Sequence, residues 1–341
     1  MNSRGHVTLQ DVANQAGVSP TTASYILNGR TAHMRISAQT QARVRAVAET
    51  LGYRRNRSAQ SLRTATTHTI GLISDFVASG NYASRMLTGA SGASRARDHL
   101  LVIGETEGDE DQLQALIDDM IARRVDGYIY ATLNTAQVVV PEPLARRRTV
   151  LLNCLDPSSP VPAVLPNEYE GGRAAAGALL EVGIAHDIVL VGEESTADAL
   201  AGQERQQGIQ ARLDEADAAL AGVIACTWDV APPFEAVSDW LAAGGRASGL
   251  VCMNDRIAMG VYQALAQAGM SVPHDVSVVS FDNFELATWL RPRLTSVSLP
   301  YAEMGATAVD VLLDGARTEA GITRVPMPIA PGGSVRDRVA G

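Results

Sequence analysis

A series of short apolar segments from Thr69 onward constrains the fold of this chain more than any other feature. The segments are TIGLIS, LLVIGE, GYIYAT, TVLLNC, DIVLVG, GVIACTW, GLVCMN and VSVVSF, and alanine-rich stretches separate them. Continuous apolar runs of this length indicate strands buried on both faces, and helical stretches between them indicate parallel pairing. The pattern predicts a doubly wound α/β body, and eight strands predict two lobes of similar design.

The residues before this body read as three short helices. Thr8 precedes LQDVANQA, whose apolar residues recur at helical spacing, and Gly17 can end that helix in the left-handed conformation. Ser19 can cap a second helix, predicted over Pro20 to about Leu27. A third is predicted from Ser37 to about Leu51. A helix, a glycine turn and a capped helix predict an all-α helix-turn-helix head.

The charge is distributed unevenly between head and body. The chain has a net charge of −9, yet residues 1–68 carry nine arginines against Asp11 and Glu49, a formal charge of +7, which leaves −16 for the remainder. A compact basic head on an acidic body is typical of a module that contacts nucleic-acid phosphates. A helical hairpin also occurs as a plain packing unit, and the motif alone leaves that alternative open.

The start of the second helix holds the candidate base contacts. A helix-turn-helix inserts this end of its second helix into the major groove of double-stranded DNA. Pro20, Thr21, Thr22 and Tyr25 are the exposed candidates. Thr21 can hydrogen-bond a base or contact a thymine methyl group, and Tyr25 is long enough to reach a base or a phosphate.

Motifs for catalysis, metal binding and membrane insertion are missing from the sequence. It has no G-x-x-x-x-G-K-[ST] loop, no G-x-S-x-G elbow and no H-x-x-x-H pair, and Cys154, Cys226 and Cys252 lack ligand spacing. We therefore expect a protein that is not an enzyme, has no cofactor and no metal, and keeps reduced thiols. With no long apolar run and no signal peptide after the start MNSRGHVTLQD, we expect it in the cytoplasm and not at a membrane.

Blocks along nearly the whole chain resemble the lactose-repressor (LacI/GalR) family of regulators. In the head they are VTLQDVA, AGVS, TASYILNG, IS with Thr40, LGY and NRSAQSL, and in the body RVDG, RQQG, ND with AMG, VP with DVSVV, FDN and LTSV. The resemblance implies a repressor that binds a pseudo-palindromic operator as a homodimer. It also implies a small-molecule effector, most often a sugar, between two lobes like those of periplasmic sugar-binding proteins.

The resemblance also implies a division into domains. Residues 1–55 would form the DNA-binding head, residues 56–68 a hinge, and residues 69–341 the sensing domain. Its near lobe, which is nearer to the head in the sequence, is expected at about 69–165 and 297–324, and its far lobe at about 166–296 and 325–341. No leucine heptads follow the last predicted strand, VPMPIAPGGSV, so we expect a dimer and not a tetramer. The end PGGSV also lacks the arginine that many relatives have there.

In the family the hinge folds into a helix on the operator, and a leucine from each subunit enters the minor groove at a central C-G step. Leu62 matches this leucine, and Asn56 and Ala59 match hinge positions that face the DNA. An ordinary linker leucine is the alternative for Leu62. Many relatives have arginine where this chain has Tyr25, so a guanine contact is not carried over. The full set of expected DNA contacts is Thr8, Ser19, Pro20, Thr21, Thr22, Ser24, Tyr25, Asn28, Tyr53, Asn56, Ala59 and Leu62.

The expected effector site lies at the carboxyl ends of the strands, between the lobes. Arg205, Asn254 and Asp282 match polar ligand contacts of the family, and Trp228 matches an indole that sugar-responsive members place against a pyranose ring. An aromatic plate with a polar rim suits a saccharide. The weaker candidates from the near lobe are Asp75, Phe76 and Asn153. Three alternatives stay open: Arg205 in a surface ion pair, Trp228 in simple packing, and Asp255 as a helix N-cap.

Three alternative functions share some of these features. A non-sugar co-repressor, such as a purine or a phosphoprotein, occurs in the family, and the resemblance allows both induction and co-repression. A transport protein would share the two lobes, but the basic head and the missing signal peptide oppose it. A sugar kinase with a helix-turn-helix would need a phosphate-binding loop, which the sequence lacks.

Overall fold

A computed structural model describes residues 7–29, 31, 34–54, 66–77, 84–192, 200–315 and 321–337. The chain divides into two units, Met1–Thr67 and His68–Gly341. The described helices are α1 (Leu9–Ala16), α2 (Pro20–Leu27), α3 (Ala38–Thr50), α4 (Ser84–Ala96), α5 (Glu110–Ala122), α6 (Glu142–Ala145), α7 (Glu168–Leu180), α8 (Leu200–Asp214), α9 (Ala231–Ala242), α10 (Asp255–Gln267), α11 (Glu285–Trp289) and α12 (Tyr301–Asp314). The described strands are β1 (Thr69–Ser74), β2 (Leu100–Glu105), β3 (Gly127–Gln137), β4 (Thr149–Leu155), β5 (Ala163–Pro166), β6 (Ile188–Val191), β7 (Leu220–Ile224), β8 (Gly249–Cys252), β9 (Ser277–Asp282), β10 (Thr295–Ser298), β11 (Ile322–Val325) and β12 (Ile329–Ala330).

The first unit contains the three predicted helices, and local hydrogen bonds set their ends. Thr8 and Asp11 form a capping box at the start of α1, and Gly17 ends it with a φ of 63°. The Ser19 hydroxyl accepts the Thr22 N–H at 3.1 Å, and the Ser37 hydroxyl caps α3 in the same way. The turn and the caps therefore form the predicted helix-turn-helix.

A small apolar core joins the three head helices. Val12 from α1, Ile26 from α2 and Val44 from α3 are buried together, and Ala13, Ala16, Ala23 and Ala48 fill the space between them. Small residues let three short helices approach closely enough to form one core. The predicted hinge residues Asn56, Ala59 and Leu62 lie outside the described residues.

The second unit contains two six-stranded sheets. Their strand orders are β11-β5-β4-β3-β1-β2 and β12-β10-β9-β8-β6-β7, and among the described pairs only β10 with β12 is antiparallel. The near lobe is built on the first sheet and the far lobe on the second. This arrangement confirms the predicted doubly wound α/β body. Among the described helices, none is both long and apolar enough to cross a membrane.

The sequence patterns predicted the continuously apolar strands and missed those that contain proline or polar residues. All eight apolar segments contain strands, although the strand predicted in GVIACTW is Leu220–Ile224, so it begins earlier than expected. The strands β5 (AVLP), β10 (TSVS) and β11 (ITRV) were not predicted, although the equally short β6 and β8 were. The last predicted strand, VPMPIAPGGSV, contains only the short β12. A proline or a polar residue breaks the continuous apolar run by which a short buried strand is recognised.

Because β5, β10 and β11 lie where the chain leaves a lobe, they mark three crossovers between the lobes. The chain passes to the far lobe between β5 and α7, returns between β10 and α12, and passes over again between β11 and β12. Each sheet is therefore completed by a strand from a distant part of the chain. Three connecting segments therefore join the two lobes.

Glycines bring α7 and α8 into backbone contact in the far lobe. A Cβ built on Gly172 of α7 would lie 2.1 Å from the Arg205 carbonyl oxygen, and one on Gly208 of α8 would lie 1.9 Å from the Tyr169 carbonyl oxygen. No side chain larger than hydrogen fits at these two positions without moving a helix. In the near lobe, Gly89 of α4 and Gly305 of α12 make the same kind of contact.

We expect Gly172→Ala to destabilise the protein by about 1–3 kcal/mol, because the added methyl group would force α7 away from α8. Gly177→Ala is the matched control on the same helix, since its Cβ would meet only the Arg212 Nε, at 3.9 Å. That change should stabilise by roughly 0.5–1 kcal/mol through higher helix propensity. Urea unfolding of the two variants measures both effects. Equal stability of the two variants would contradict the backbone contact.

Candidate functional site

A cavity of about 510 Å³ lies between the two lobes. The near lobe contributes Tyr301 and the β3 segment 133–136 to its described lining, and the far lobe contributes most of the charged groups. Four of the seven residues predicted for ligand binding line it: Arg205, Trp228, Asn254 and Asp282. The cavity therefore brings together the far-lobe candidates at the carboxyl ends of the strands.

Arg205 lies at the centre of the charged groups in this cavity. Its Nε donates to Glu168 Oε2 at 2.7 Å and its Nη2 donates to Glu168 Oε1 at 3.1 Å. Its Nη1 donates to the Met253 carbonyl at 2.5 Å, and Asp282 Oδ1 lies 3.5 Å from Nη2. The Arg205 side chain is 2% exposed and that of Glu168 is fully buried. The alternative of a surface ion pair is wrong, since both partners lie inside the protein.

Glu168 was not among the residues predicted from the sequence. It is the first residue of α7, one residue beyond the N-cap Asn167. The signal that could have found it is its place directly after a strand, where polar residues of α/β proteins meet ligands. That signal was hidden because prolines interrupt the apolar residues in and around the preceding strand β5.

Two aromatic rings flank the Arg205 guanidinium. Its central carbon lies 4.5 Å from the centroid of Phe281 and 5.5 Å from that of Trp228, which are distances for cation–π attraction. The Trp228 indole N–H donates to the Gly192 carbonyl at 2.6 Å. Trp228 packs against the far-lobe core and also lines the cavity, so the alternative of simple packing describes only part of its position.

Two aspartates complete the charged group. The Asp255 carboxylate accepts hydrogen bonds from the Phe284 N–H and the Ser296 hydroxyl, each at 2.8 Å. Burial raises the pKa of Asp282, and the neighbouring Asp255 and Glu168 carboxylates act in the same direction while Arg205 opposes them. Burial likewise raises the pKa of Asp255. These groups make the cavity rich in hydrogen-bond acceptors.

Asn254 caps helix α10, which corrects the alternative placed on Asp255. The Asn254 side-chain oxygen accepts the Ile257 N–H at 2.8 Å, so Asn254 is the N-cap and Asp255 is the first helical residue. The Asn254 amide also donates to the Trp228 carbonyl at 3.4 Å. Asn254 therefore orients the tryptophan loop as well as lining the cavity.

Asn153 and Asp75 hold the cavity wall without lining the cavity. Asn153 has a φ of 62°, its amide donates to the Thr132 and Leu133 carbonyls, and it accepts a hydrogen bond from the Thr135 hydroxyl. Asp75 Oδ1 accepts the Leu133 N–H at 2.9 Å. The pairing of β3 with β4 is irregular at this point, and the two side chains fix the irregular segment that faces the cavity. In this structure both residues therefore lie behind the wall, and their predicted contact with the ligand stays a prediction.

Phe76 does not line the cavity either. Its side chain is 42% exposed and lies beside Gly108. Among the described residues, no group of three or more His, Cys, Asp or Glu side chains could hold a metal ion, and the three cysteines are free thiols.

Most of the candidate DNA-reading residues lie on α2 or at its two ends. Pro20 and Thr21 are exposed, whereas Thr22, Ser24, Tyr25 and Asn28 are half-buried. Thr22 and Ser24 bond within the head, to Ser19 and Asn28 respectively. Thr8 belongs to the capping box of α1, and Tyr53 packs on the head core. Thr21 is thus the exposed polar side chain that the head presents at the start of α2.

Comparison with known proteins matches the head and the body to two different family models. Residues 8–56 match the model of bacterial regulatory proteins of the lacI family, and residues 176–335 match a periplasmic binding protein-like domain. The ribose operon repressor of Escherichia coli (strain K12) is 30% identical over 314 residues, which cover 90% of this chain and 92% of that protein. The chain belongs to the LacI family. The predicted DNA-binding transcriptional repressor is confirmed by this membership.

Other members support the same assignment. The HTH-type transcriptional repressor PurR of Aliivibrio fischeri (strain MJ11) is 30% identical over 316 residues, which cover 90% of this chain and 91% of that protein. The lac repressor dimer bound to operator and the anti-inducer ONPF superposes with a TM-score of 0.77 at 23% identity, over 97% of this chain and 99% of that one. The transcriptional regulator CelR in complex with cellobiose gives a TM-score of 0.64 at 24% identity, over 96% and 100%. At these identities the structures show the LacI-family fold.

We expect the buried carboxylates to make the protein less stable as the pH rises above about 4. Burial raises the pKa of Asp282 above its ordinary value of 3.8, so the folded state holds this proton more tightly than the unfolded state does. Stability from the protonated form is therefore lost as the pH rises. Asp282→Asn has no proton to lose, so its melting temperature relative to the parent should rise with pH. Asp239→Asn, an exposed change on α9, is the control. If the melting temperatures of Asp282→Asn and of the parent changed by the same amount with pH, the raised pKa of Asp282 would be contradicted.

Proposed function

We propose that this chain is a homodimeric repressor that binds an uncharged saccharide between its lobes, and that this binding changes its affinity for operator DNA. Residues 1–55 act as the DNA-binding head, 56–68 as the hinge and 69–341 as the sensor. The observation that carries the proposal is the buried Arg205–Glu168 pair, which faces a cavity between two lobes beside Trp228 and Asp282. Relatives named ribose operon repressor and a regulator solved with cellobiose support a sugar.

The hydrogen-bonding groups of the cavity favour a ligand that donates hydrogen bonds. Glu168 and the Met253 carbonyl already bind the Arg205 guanidinium, so Arg205 is poorly placed to receive a ligand carboxylate or phosphate. Asp255 and Asp282 add further acceptors. Sugar hydroxyls can donate to these carboxylates while a sugar ring face packs on Trp228. These groups support an uncharged sugar over a sugar phosphate.

The response follows from a ligand that contacts both lobes. Tyr301 and segment 133–136 lie on the near-lobe side of the cavity, and Arg205 and Asp282 lie on the far-lobe side. A ligand that binds all of them favours one angle between the lobes, and the three crossovers allow that angle to change. In a dimer this angle would alter how two hinges are presented to the operator. We propose that Leu62 then inserts into the minor groove, with Asn56 and Ala59 facing the DNA.

Helix α2 of the head contacts the bases of the DNA, with Thr21 and Tyr25 as the proposed base contacts. Exposed arginines of the head contact the DNA phosphates. The protein acts by binding and not by catalysis, as its named relatives are repressors. Its site of action is the cytoplasm, because the chromosome of a bacterial cell lies there.

Calorimetric titration tests the effector class. We expect full-length protein to bind one of D-ribose, D-glucose and cellobiose more tightly than the matching sugar phosphate. Asp282→Ala should weaken that binding by roughly five- to 150-fold, since about 1–3 kcal/mol is lost when a buried ligand group is left unpaired. Glu170→Gln, an exposed change on α7, should leave it unchanged. Tighter binding of a sugar phosphate or a purine would overturn the sugar proposal.

Salt dependence tests the DNA-binding head. The test DNA is a duplex that the parent protein selects from a random pool. The logarithm of its binding constant should fall with log salt by about 0.9 per phosphate contact. Arg35 is exposed beside the start of α3, where a helix N-terminus favours a phosphate, so Arg35→Gln should lower the slope by roughly 0.9 per subunit, or about 1.8 for the dimer. Arg123→Gln, an exposed change on the near lobe, is the control. Equal slopes for the parent and Arg35→Gln would remove Arg35 from the phosphate contacts.

A further inference from the structure

A bidentate ion pair joins the two lobes beside the cavity. Arg324 lies on β11 of the near-lobe sheet, and Glu204 lies on α8 of the far lobe. Nη1 and Nη2 of Arg324 donate to the two carboxylate oxygens of Glu204 at 2.6 and 2.7 Å. The side chains are 33% and 19% exposed, respectively. Two parallel hydrogen bonds between planar groups fix the orientation of the partners as well as their separation.

The same guanidinium binds two of the three crossovers. Arg324 Nη1 also donates to the Pro166 carbonyl at 3.2 Å, and Pro166 is the last residue of β5, just before the chain enters the far lobe. Arg324 itself is one residue from the end of β11, where the chain enters the far lobe again. A rotation about these crossovers would change the position of Glu204 relative to Arg324. The ion pair therefore favours one angle between the lobes.

Glu204 and Arg205 are consecutive on α8 and make contacts in different directions. Glu204 bonds the near lobe, whereas Arg205 bonds Glu168 in the cavity. The glycine contacts hold α8 tightly against α7, so Arg205 and Glu168 move with α8 as one body. Through Glu204, the near lobe is therefore bonded to helix α8, which also carries Arg205 in the cavity.

We propose that Glu204 and Arg324 are positioning residues that set the angle between the lobes and with it the width of the effector cavity. The pair acts through α8 and touches no ligand. Its role in the response rests on the proposed function, because only a ligand that bridges the lobes would work with or against this pair. Its effect on the angle itself is independent of any ligand and is measured without one.

Electron spin resonance distances between the lobes test this proposal on the full chain. One spin label is attached at Arg123→Cys on the near lobe and one at Asp239→Cys on the far lobe, both exposed, with Cys226→Ser in the background. Labelled protein is mixed with excess unlabelled protein, so that a dimer holds at most one labelled chain. We expect Glu204→Gln and Arg324→Gln each to broaden the distance distribution and to shift its maximum by about 2 Å or more, the size of a domain rearrangement.

Arg324→Lys keeps a cation beside Glu204 and the Pro166 carbonyl, so it should retain a narrower distribution than Arg324→Gln, which simple loss of packing would not explain. The matched control is Glu215→Gln, which breaks the bidentate pair with Arg173, at 2.8 and 2.9 Å, inside the far lobe. That control should leave the inter-lobe distance unchanged. Unchanged distances in both single variants, or an equal change in Glu215→Gln, would overturn the proposal. Failure of the sugar proposal would appear only in the calorimetry.

Discussion

The ion pair between Arg205 and Glu168 is the constraint on which the far lobe is organised. A guanidinium and a carboxylate lose their hydration when both are buried, and only good geometry and further hydrogen bonds offset that loss. Here the geometry is bidentate, the Met253 carbonyl takes a third donor, and Phe281 and Trp228 flank the charge. Removal of one partner would leave an uncompensated buried charge, at a cost of about 3–5 kcal/mol. A pair of this kind adds little stability compared with apolar packing, so its place beside a cavity is better explained by recognition than by folding.

Strained backbone accompanies the polar groups of this site. Asp282 and Asn283 have φ values of 98° and 51°, and Asn153 has 62°. Residues other than glycine adopt such angles at a cost, and they concentrate where the surrounding structure holds a side chain in a required direction. Both positions are at or near the carboxyl ends of central strands, β9 and β4. The strained backbone at Asp282 directs its carboxylate toward the cavity. The strained backbone at Asn153 directs its amide toward the β3 segment that forms the cavity wall.

Sequence reasoning recovered the features that depend on local chemistry. Long buried strands, the caps Ser19 and Ser37 and the turn glycine Gly17 each leave a pattern within a few residues. The far-lobe cavity residues came from resemblance to a family. A residue at a strand end lies near the cavity, but the sequence pattern does not show where its side chain points. In the structure Asn153 and Asp75 bond to β3, and Glu168 was missed because prolines interrupt the apolar pattern around β5.

The glycine contacts described for the two lobes follow a shared plan of connectivity. In each lobe, the helix that follows the first strand (α4 after β1, α8 after β6) meets the helix at which the chain enters that lobe from the other one (α12 and α7). At Gly89, Gly305, Gly172 and Gly208 a side chain would meet the backbone of the facing helix, so the two helices of each lobe touch without side chains between them. Each entering helix is thereby seated at a fixed depth in its lobe, and a change at one of these glycines would displace the chain at a crossover.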